Sequence, residues 1–212
     1  MKPSIKIAVI GATGKAGKFL IKELAKTNYQ VKALIRNPEN TNLSTVEVIT
    51  GNVSNPDDVL SLLKDCDAVM SVLGMGVSPN PTDIFTTSTG NILSAMKKLN
   101  IKRYIVITGL NVDTPTDSKS SNSKAATNWM HEYFPATTKN KQEEYEMLTE
   151  SSTDWTMVRL PMIDLTEESP EIAISLTDCP GSKISATSLA QFLIKLLTDE
   201  AYIRQAPFIA NK

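Results

Sequence analysis

The sequence is poor in the residues that bind metals or form disulfide bonds. It contains one histidine and two cysteines, Cys66 and Cys179, which lie far apart and have no CxxC partner. A structural zinc site needs more nitrogen and sulfur ligands than these, so we expect no metal site. Reduced thiols of this kind are typical of a cytoplasmic protein, and that is the location we expect.

The sequence also lacks an excess of charge of one sign. Its 22 Lys and Arg residues and 23 Asp and Glu residues give a formal net charge of −1. Nucleic acids and anionic membranes attract basic surfaces, so we expect neither as a partner. The apolar run at residues 5–10 falls well short of the ~20 residues of a membrane-spanning helix. It ends in a glycine turn, which indicates a first strand rather than a signal peptide.

Apolar strands alternate with amphipathic helices along most of the chain. This alternation is typical of a parallel sheet with right-handed crossovers. It predicts an α/β protein with one doubly wound Rossmann domain over residues 1–212, with helices on both faces of a mainly parallel sheet. The predicted strands are residues 5–10, 31–36, 46–50, 68–73, 104–108 and 155–160, and the predicted helices are 15–26, 55–64, 82–99, 139–150 and 187–197.

The pattern is weaker in the carboxyl-terminal half. Residues 111–122 are rich in Ser, Thr, Asp and Pro, which predicts a surface loop without its own core, followed by a short helix at 124–133. Ligand sites in doubly wound sheets lie beyond the carboxyl ends of the strands. We therefore interpret 111–138 as a loop or lid insertion and 160–212 as a small substrate-side region. In the latter we expect 171–177 to pair with 183–185, and 207–210 to form an edge strand.

Glycines follow the first predicted strand at the spacing GxxGxxG. Gly11 permits a sharp turn, Gly14 lets the backbone approach a diphosphate, and Gly17 lets the helix pack closely on the sheet. Free N–H groups and the helix dipole favour an anion at this point. The turn predicts a dinucleotide site, the alternative being a glycine turn without a ligand. The expected cofactor contacts here are Gly11, Ala12, Thr13, Gly14, Lys15, Ala16 and Gly17.

The end of the second strand bears on the choice of cofactor. NAD-binding proteins usually place an acidic residue there to bind the ribose, whereas this chain has Arg36 and Asn37 and no acid before Glu39. A guanidinium group can hold a 2′-phosphate through paired charged hydrogen bonds. We therefore expect NADP(H) rather than NAD(H). The alternatives are that Arg36 is a solvated cation or stacks on the adenine.

Together these motifs resemble the atypical NAD(P)H-binding branch of the short-chain dehydrogenase/reductase superfamily. That branch includes the NmrA-like proteins, NADH-flavin reductases and the biliverdin reductase B type. The resemblance extends over nearly the whole chain. Beyond the glycine turn it rests on Ile35-Arg36-Asn37-Pro38, Gly51-Asn52-Val53, Val72-Leu73-Gly74, Ile107-Thr108-Gly109 and Asp154-Trp155-Thr156-Met157-Val158-Arg159.

The resemblance implies further cofactor contacts. Asn52 and Val53 would lie beside the adenine, with the amide oxygen of Asn52 taking the place of a carboxylate found in relatives. Leu73 and Gly74 would lie beneath the cofactor, although Leu73 is equally well explained as a core residue. Pro161 would pack against the nicotinamide, in a segment where the register with relatives is ambiguous.

The standard catalytic pair of the superfamily is missing. No tyrosine is followed four residues later by a lysine, so the usual general acid is absent. Thr108 could instead donate to a bound carbonyl or to the nicotinamide amide, or simply cap the following turn. The resemblance implies that Lys141 hydrogen-bonds the nicotinamide ribose, the alternative being a solvated lysine. These two residues are the catalytic candidates.

A group of residues near 130 allows several interpretations. His131 could serve as a base or be a bystander on the surface. The apolar side chains around it could line a substrate cavity, form a partner surface, or pack as core beneath a loop. These side chains are Trp129, Met130, Tyr133 and Phe134.

An intact cofactor turn without the tyrosine suggests one kind of reaction. Hydride transfer from NADPH to a flavin or quinone-like small molecule depends on proximity and orientation, since solvent can supply the proton. The alternative is a non-catalytic, NmrA-like NADP(H) sensor that acts through a protein partner. A sugar-nucleotide or isoflavone-reductase-like enzyme is a third interpretation, which would call for a longer segment after Leu160. The oligomeric state is left open.

Overall fold

The computed structural model describes residues 5–40, 45–75 and 81–212. Residues 1–4, 41–44 and 76–80 of the predicted domain lie outside the described residues. The strands are β1 (Lys6–Ile10), β2 (Gln30–Ile35), β3 (Glu47–Thr50), β4 (Ala68–Ser71), β5 (Arg103–Gly109), β6 (Asp154–Leu160), β7 (Met162–Asp164), β8 (Ile172–Ser175), β9 (Lys183–Ser185) and β10 (Phe208–Asn211).

The helices cover both faces of the sheet. They are α1 (Lys15–Leu24), α2 (Pro56–Leu63), α3 (Ile84–Leu99), α4 (Ser121–Tyr133), α5 (Pro135–Glu150) and α6 (Ala186–Lys195), with a short 3-10 turn at Pro38–Asn40. Asn55 caps α2, because its side-chain oxygen accepts from the Asp57 N–H at 3.0 Å. Within the described ranges, every helix is too short or too polar to cross a membrane.

The main sheet has eight strands in the order β3-β2-β1-β4-β5-β6-β10-β8. All neighbours in it run parallel except β10 and β8. The chain order reverses between β1 and β4, and such a reversal opens the crevice in which doubly wound proteins bind ligands. The predicted Rossmann fold is therefore confirmed.

Apolar residues fill the space on each side of the sheet. On one side α1 and α6 pack together against the strands, through residues such as Leu20, Leu24, Leu189 and Leu193. On the other side α2, α3 and α5 bury residues such as Leu62, Ile92, Met96 and Leu148. Burial on both faces explains why the parallel strands are nearly continuous apolar runs.

The predicted strand pairing in the carboxyl-terminal half is wrong. β8 pairs with β10, where Ile174 lies opposite Ile209, while β9 pairs with β7 in a separate two-stranded sheet. β10 is also not an edge strand, because it lies between β6 and β8. The pattern of apolar residues indicates which segments are extended but not which strands pair. Here β8 pairs with β10, which is more distant in sequence than β9.

The expected loop at 111–122 is irregular as far as Ser120, and the short helix expected at 124–133 is present as α4, which begins at Ser121. The end of the 111–138 insertion is helical as well, because α5 begins at Pro135. In the remaining stretch Val112 and Lys119 are buried. The polar composition gave no sign of this burial, which is accompanied by an ion pair within the segment, Lys119 with Asp113, and by one to β6, Asp117 with Arg159.

Candidate functional site

The glycine turn between β1 and α1 brings backbone segments into close approach. Gly11 has a φ of +83°, and a Cβ atom there would lie 2.8 Å from the carbonyl carbon of Val72. A Cβ at Gly17 would lie 2.0 Å from the Gly11 carbonyl oxygen and 2.7 Å from the Ala12 carbonyl carbon. A side chain at either glycine would therefore displace backbone.

The first turn of α1 has the features of an anion site. Gly14 is the N-cap and provides no side-chain cap, and the first turn contains no acidic residue. The Lys18 N–H bonds to the Gly14 carbonyl at 3.1 Å, so the N–H groups of Lys15, Ala16 and Gly17 precede the hydrogen-bonded ladder. Together with the missing Cβ atoms of the turn, these donors fit the diphosphate of a dinucleotide.

The residues predicted to select NADP(H) lie at the same edge of the sheet as the glycine turn. β1 and β2 are parallel with Ile10 opposite Leu34, so the residues after both strands emerge side by side. Arg36 and Asn37 are both exposed there. The structure therefore places Arg36, the predicted phosphate-binding residue, at the same end of the sheet as the turn.

Asn52 forms a local turn at the end of β3. Its side-chain oxygen accepts from the Ser54 N–H at 3.0 Å, and its own N–H donates to the Asp58 carboxylate at 2.8 Å. The amide oxygen expected to meet the adenine therefore already has a backbone partner. Val53 is buried, and its carbonyl accepts from the Asn91 side chain at 2.9 Å, so its packing is explained by the core.

Leu73 and Gly74 follow β4 at the same edge. Leu73 is partly buried and packs against the core, as the alternative interpretation expected. Gly74 is exposed, and a Cβ atom there would meet nothing within 4 Å. The fold itself therefore does not require a glycine at this position.

Thr108 lies near the carboxyl end of β5, opposite Arg159 of β6. It is buried, and its hydroxyl has no hydrogen-bond partner among the described residues. The capping role is thus absent from the structure. Buried polar groups are nearly always hydrogen-bonded, so this unpaired hydroxyl is consistent with a ligand at the end of the strand.

Lys141 is buried rather than solvated, which rules out the alternative interpretation. Its Nζ donates to the Ile107 carbonyl at 3.2 Å and to the Glu144 carboxylate at 2.8 Å. It also lies 3.8 Å from the centroid of the Phe85 ring. The ammonium group is therefore next to the strand that carries Thr108, and the bond to ribose that the resemblance implies stays a prediction.

Glu144 connects Lys141 to a buried tyrosine. It accepts from the Thr89 hydroxyl at 2.8 Å, and that hydroxyl is 3.2 Å from the Tyr104 hydroxyl. Burial, with a further contribution from the Glu144 charge, raises the pKa of Tyr104 well above its usual range. Tyr104 is completely buried, and its hydroxyl is held by Thr89, so this residue is not exposed to a substrate and does not replace the missing catalytic tyrosine.

A cavity of about 660 Å³ lies beyond the ends of β5 and β6. Its walls include Leu160 and Pro161 from the end of β6, and Trp129 and Met130 from α4. This volume is within the usual range of small-molecule sites. The structure thus brings the predicted Pro161 together with half of the aromatic and apolar group near residue 130.

The rest of that group lies outside the cavity wall. Tyr133 and Phe134 pack against Trp129, with ring centroids 5.2 and 5.5 Å away. All three rings are exposed, so the interpretation as core beneath a loop is wrong. His131 is exposed and is not among the described residues that line the cavity.

Buried charges hold the segment between β5 and α4 in place. The Arg159 guanidinium is fully buried, lies 2.7 Å from both Asp117 oxygens and stacks 3.5 Å above the Phe208 ring. The Lys119 ammonium donates to the Leu110 carbonyl at 2.7 Å. These contacts join the predicted lid to β6 and β10.

Sequence reasoning missed Asn111, which this segment brings to the cavity wall. Asn111 is buried, and its side-chain nitrogen has no hydrogen-bond partner among the described residues. Gly109 makes room for it, since a Cβ there would lie 2.2 Å from the Asn111 side-chain oxygen. The only signal in the sequence was a position shortly after a strand end.

Asp178 is a second residue that sequence reasoning missed. Its carboxylate accepts from the Cys179 N–H at 2.8 Å. Burial acts to raise the pKa of Asp178, but interactions with Ser123, Ser120 and the Cys179 N–H outweigh that effect and hold the pKa below its ordinary value. The side chain is therefore an anion at neutral pH, in contact with residues of the cavity wall.

Comparison with known proteins agrees with this geometry. A family model described as NAD(P)H-binding matches residues 11–200. The chain belongs to this NAD(P)H-binding family. This confirms the expected assignment of the chain to an NAD(P)H-binding family.

The individual relatives have low sequence identity to this chain or match only part of it. An isoflavone reductase homolog from Nicotiana tabacum is 35% identical over 112 residues, which is 47% of this chain and 34% of the relative. The chain therefore spans only a minor part of that relative's length. The Bacillus subtilis protein YwnB is 24% identical over 156 residues, covering 73% of this chain and 70% of that protein.

Solved structures confirm the fold. A short-chain dehydrogenase/reductase from Veillonella parvula, crystallised in complex with NADP, has a TM-score of 0.79 at 16% identity, covering 98% of this chain and 94% of that chain. The oxidoreductase ylbE from Lactococcus lactis has a TM-score of 0.79 at 20% identity, with 98% and 91% covered. At these identities the likeness extends to the fold alone.

Proposed function

We propose that this protein is an NADPH-dependent reductase whose acceptor is a flat conjugated carbonyl compound, such as a flavin or quinone-like small molecule. The order of sites along the sheet carries this proposal. The glycine turn follows β1, Arg36 follows β2 on one side of it, and the cavity lies beyond β5 and β6 on the other. A dinucleotide on the turn would direct its adenosine phosphate toward Arg36 and its nicotinamide toward the cavity.

NADPH, when bound, supplies the hydride for such a reduction. The chain's own residues would bind and orient the two molecules. The N–H groups at the start of α1 would hold the diphosphate, and the Arg36 guanidinium the 2′-phosphate. The Thr108 hydroxyl, which lacks a partner among the described residues, would donate to a carbonyl of the acceptor, and solvent would supply the proton.

The cavity wall suits a ring system. Trp129 offers an aromatic face and Pro161 an apolar surface, and together they would hold a flat acceptor and exclude water from one side of it. A relative also supports a reductase. The phenylcoumaran benzylic ether reductase from Pyrus communis is 27% identical over 116 residues, which is 49% of this chain and 35% of that enzyme.

We also propose a cytoplasmic location for the protein. Cys66 and Cys179 are both free thiols. Burial raises the pKa of Cys66 to about 11, which keeps this thiol protonated and unreactive. Free thiols of this kind suit a reducing compartment.

The reductase proposal is tested by following NADPH oxidation with riboflavin, FMN, FAD and menadione as acceptors. We expect turnover above the buffer blank with at least one of them. Trp129→Ala should lower kcat/KM by about tenfold, the usual scale for a ring-stacking residue. Tyr133→Ala is the matched control, since Tyr133 lies on the same helix outside the cavity wall and should change kcat/KM by less than about twofold.

Tight binding of NADPH without reduction of any acceptor would contradict this proposal. It would favour the alternative in which the protein senses the redox state of NADP(H) for a partner. Equal losses in Trp129→Ala and Tyr133→Ala would contradict the placement of the acceptor in the cavity.

A further inference from the structure

The wall of the cavity contains a buried amide that lacks a partner. Asn111 lines the cavity and is only 4% exposed. Its side-chain nitrogen has no hydrogen-bond partner among the described residues. Buried polar groups are nearly always hydrogen-bonded, because an unpaired one has lost its contact with water without compensation. A ligand in the cavity would supply the missing partner.

The backbone on both sides of Asn111 is held in place. The Leu110 N–H donates to the Leu160 carbonyl at 2.9 Å. The Val112 N–H donates to the Gly109 carbonyl at 3.3 Å, and Val112 is fully buried. Gly109 also leaves room for the amide, since a Cβ there would lie 2.2 Å from its oxygen. A polar group fixed in this way is suited to recognise one arrangement of atoms in a ligand.

The polar side chains at the start of α4, in the same wall, have other partners. The Ser120 hydroxyl accepts from the Ser123 N–H at 3.4 Å and donates to the Ser123 hydroxyl at 3.4 Å. Asn122 is exposed, so water can satisfy its amide. The amide of Asn111 therefore has the most to gain from a ligand that offers it hydrogen bonds.

We propose that Asn111 determines the specificity of the cavity by pairing with a lactam or imide edge, in which a ring carbonyl adjoins a ring N–H. A primary amide contains both donors and an acceptor, so it can donate to such a carbonyl and accept from the adjacent N–H. A half-turn about its terminal torsion lets it present these atoms in either order.

This pairing distinguishes the two kinds of acceptor named above. A flavin has an imide edge, whereas a quinone has carbonyls without an adjacent N–H and leaves part of the amide unpaired. A buried polar group discriminates against a ligand that cannot pair with it. The inference rests on the proposed function, because it assumes that the cavity holds the acceptor.

The experiment compares lumiflavin with 3-methyllumiflavin, which differ only in a methyl group that replaces the imide N–H. Their affinities are measured by flavin fluorescence with saturating NADP+, so that no turnover is needed. Both probes are neutral, so the exposed Lys124 and Lys183, which adjoin Ser123 and Ser182 of the wall, should affect them equally. The wild type should bind lumiflavin about tenfold more tightly, because the methylated probe leaves the amide unpaired.

Asn111→Leu keeps the branched shape of the side chain and removes its hydrogen-bonding atoms. The preference for lumiflavin should then fall to about twofold or less. Since the methyl group also adds bulk, the decisive quantity is the change in the ratio of affinities between the two proteins. Asn128→Leu is the matched control, because Asn128 is exposed on α4 and is not among the described residues of the wall. It should keep the wild-type ratio.

Thermal unfolding distinguishes this role from a structural one. Because the amide nitrogen has no partner among the described residues, Asn111→Leu should unfold at the same or a higher temperature than the wild type. A lower Tm together with an unchanged ratio would assign Asn111 to the stability of the segment and overturn the inference. If Asn111→Leu does not fold, Asn111→Ala gives the same comparison of probes.

An unchanged ratio in a folded Asn111 variant would overturn the inference, and the reductase proposal survives if turnover persists. Weaker binding of NADP+ with an unchanged ratio would show that the amide contacts the cofactor, which also overturns it. A lowered ratio in a protein that reduces no acceptor would support the role of Asn111 and contradict only the reaction. Failure of both probes to bind, while NADP+ binds, would overturn the inference along with the placement of an acceptor in the cavity.

Discussion

The two halves of the proposed site are built in different ways. The cofactor side is formed mainly by the backbone of residues 11–17, with Arg36 from the neighbouring strand end. The acceptor side combines the ends of β5 and β6, the start of α4 and the segment before β9. A site made of consecutive backbone needs few long-range contacts, whereas a cavity between distant segments exists only once those segments are held together.

The interactions that hold each half in place differ accordingly. On the cofactor side, Gly11 and Gly17 allow backbone atoms to approach more closely than any Cβ would permit. On the acceptor side, the buried Arg159 and Lys119 fix the segment that carries Asn111. Small residues thus maintain one half, and paired buried charges maintain the other.

The largest expected loss of stability follows from a substitution on the acceptor side of the proposed site. Asp117→Ala would leave the buried Arg159 guanidinium without its carboxylate, and loss of one partner of a buried ion pair costs about 3–5 kcal/mol. Denaturant unfolding measures this loss. Asp164→Ala is the control, because both side chains of its ion pair with Lys183 are exposed, Asp164 to 45% and Lys183 to 59%, and exposed ion pairs contribute about 0–1 kcal/mol. Similar losses in both variants would contradict the anchoring role of Asp117.

The second largest expected loss of stability follows from a substitution in the glycine turn, on the cofactor side. In Gly17→Ala the new methyl group would lie 2.0 Å from the Gly11 carbonyl oxygen, so the turn must shift, at a cost of roughly 3 kcal/mol by analogy with overpacked cores. Both thermal stability and NADPH affinity should fall. Gly74→Ala is the matched control for stability, since its methyl group meets nothing within 4 Å. An equally stable Gly17→Ala protein would show that the close approach is not needed.

A smaller effect is expected on the affinity for NADPH alone, and it distinguishes the choice of cofactor from the binding of any dinucleotide. Arg36→Ala should weaken NADPH binding by about 1.5–3 kcal/mol, the value of a hydrogen bond to a charged group, and leave NADH nearly unchanged. Fluorescence titration with both nucleotides measures the difference. Lys102→Ala removes an equal charge from an exposed position just before β5, at the opposite edge of the sheet, and should change neither affinity. Equal weakening of NADPH and NADH by Arg36→Ala would argue against a phosphate contact.

The smallest effect on stability concerns the hydroxyl of Thr108. Thr108→Val removes a buried hydroxyl that has no partner among the described residues, so stability should stay within about 0.5 kcal/mol or rise, while turnover falls. Thr89→Val makes the same change where the hydroxyl bonds to Glu144, and loss of that bond should cost about 1–3 kcal/mol. Unchanged turnover in Thr108→Val would remove Thr108 from the proposed site.

Several features of this protein follow from the sequence by itself. The alternation of strands and helices indicated the doubly wound sheet, and the spacing of Gly11, Gly14 and Gly17 located the tight turn. These signals are local, because hydrophobic periodicity and the need for a missing side chain are properties of consecutive residues. The place of Thr108 at a strand end is of the same kind.

Other features were decided only by the tertiary structure. The pattern of residues does not reveal that β8 pairs with β10 or that Lys141 lies buried against Glu144. Nor does it show that the Arg159 guanidinium pairs with Asp117. The physical reason is that a charged or polar residue has the same sequence signature whether water or a distant partner satisfies it. The partner is chosen when the chain packs, and so the cofactor turn could be read from consecutive residues, whereas the cavity could not.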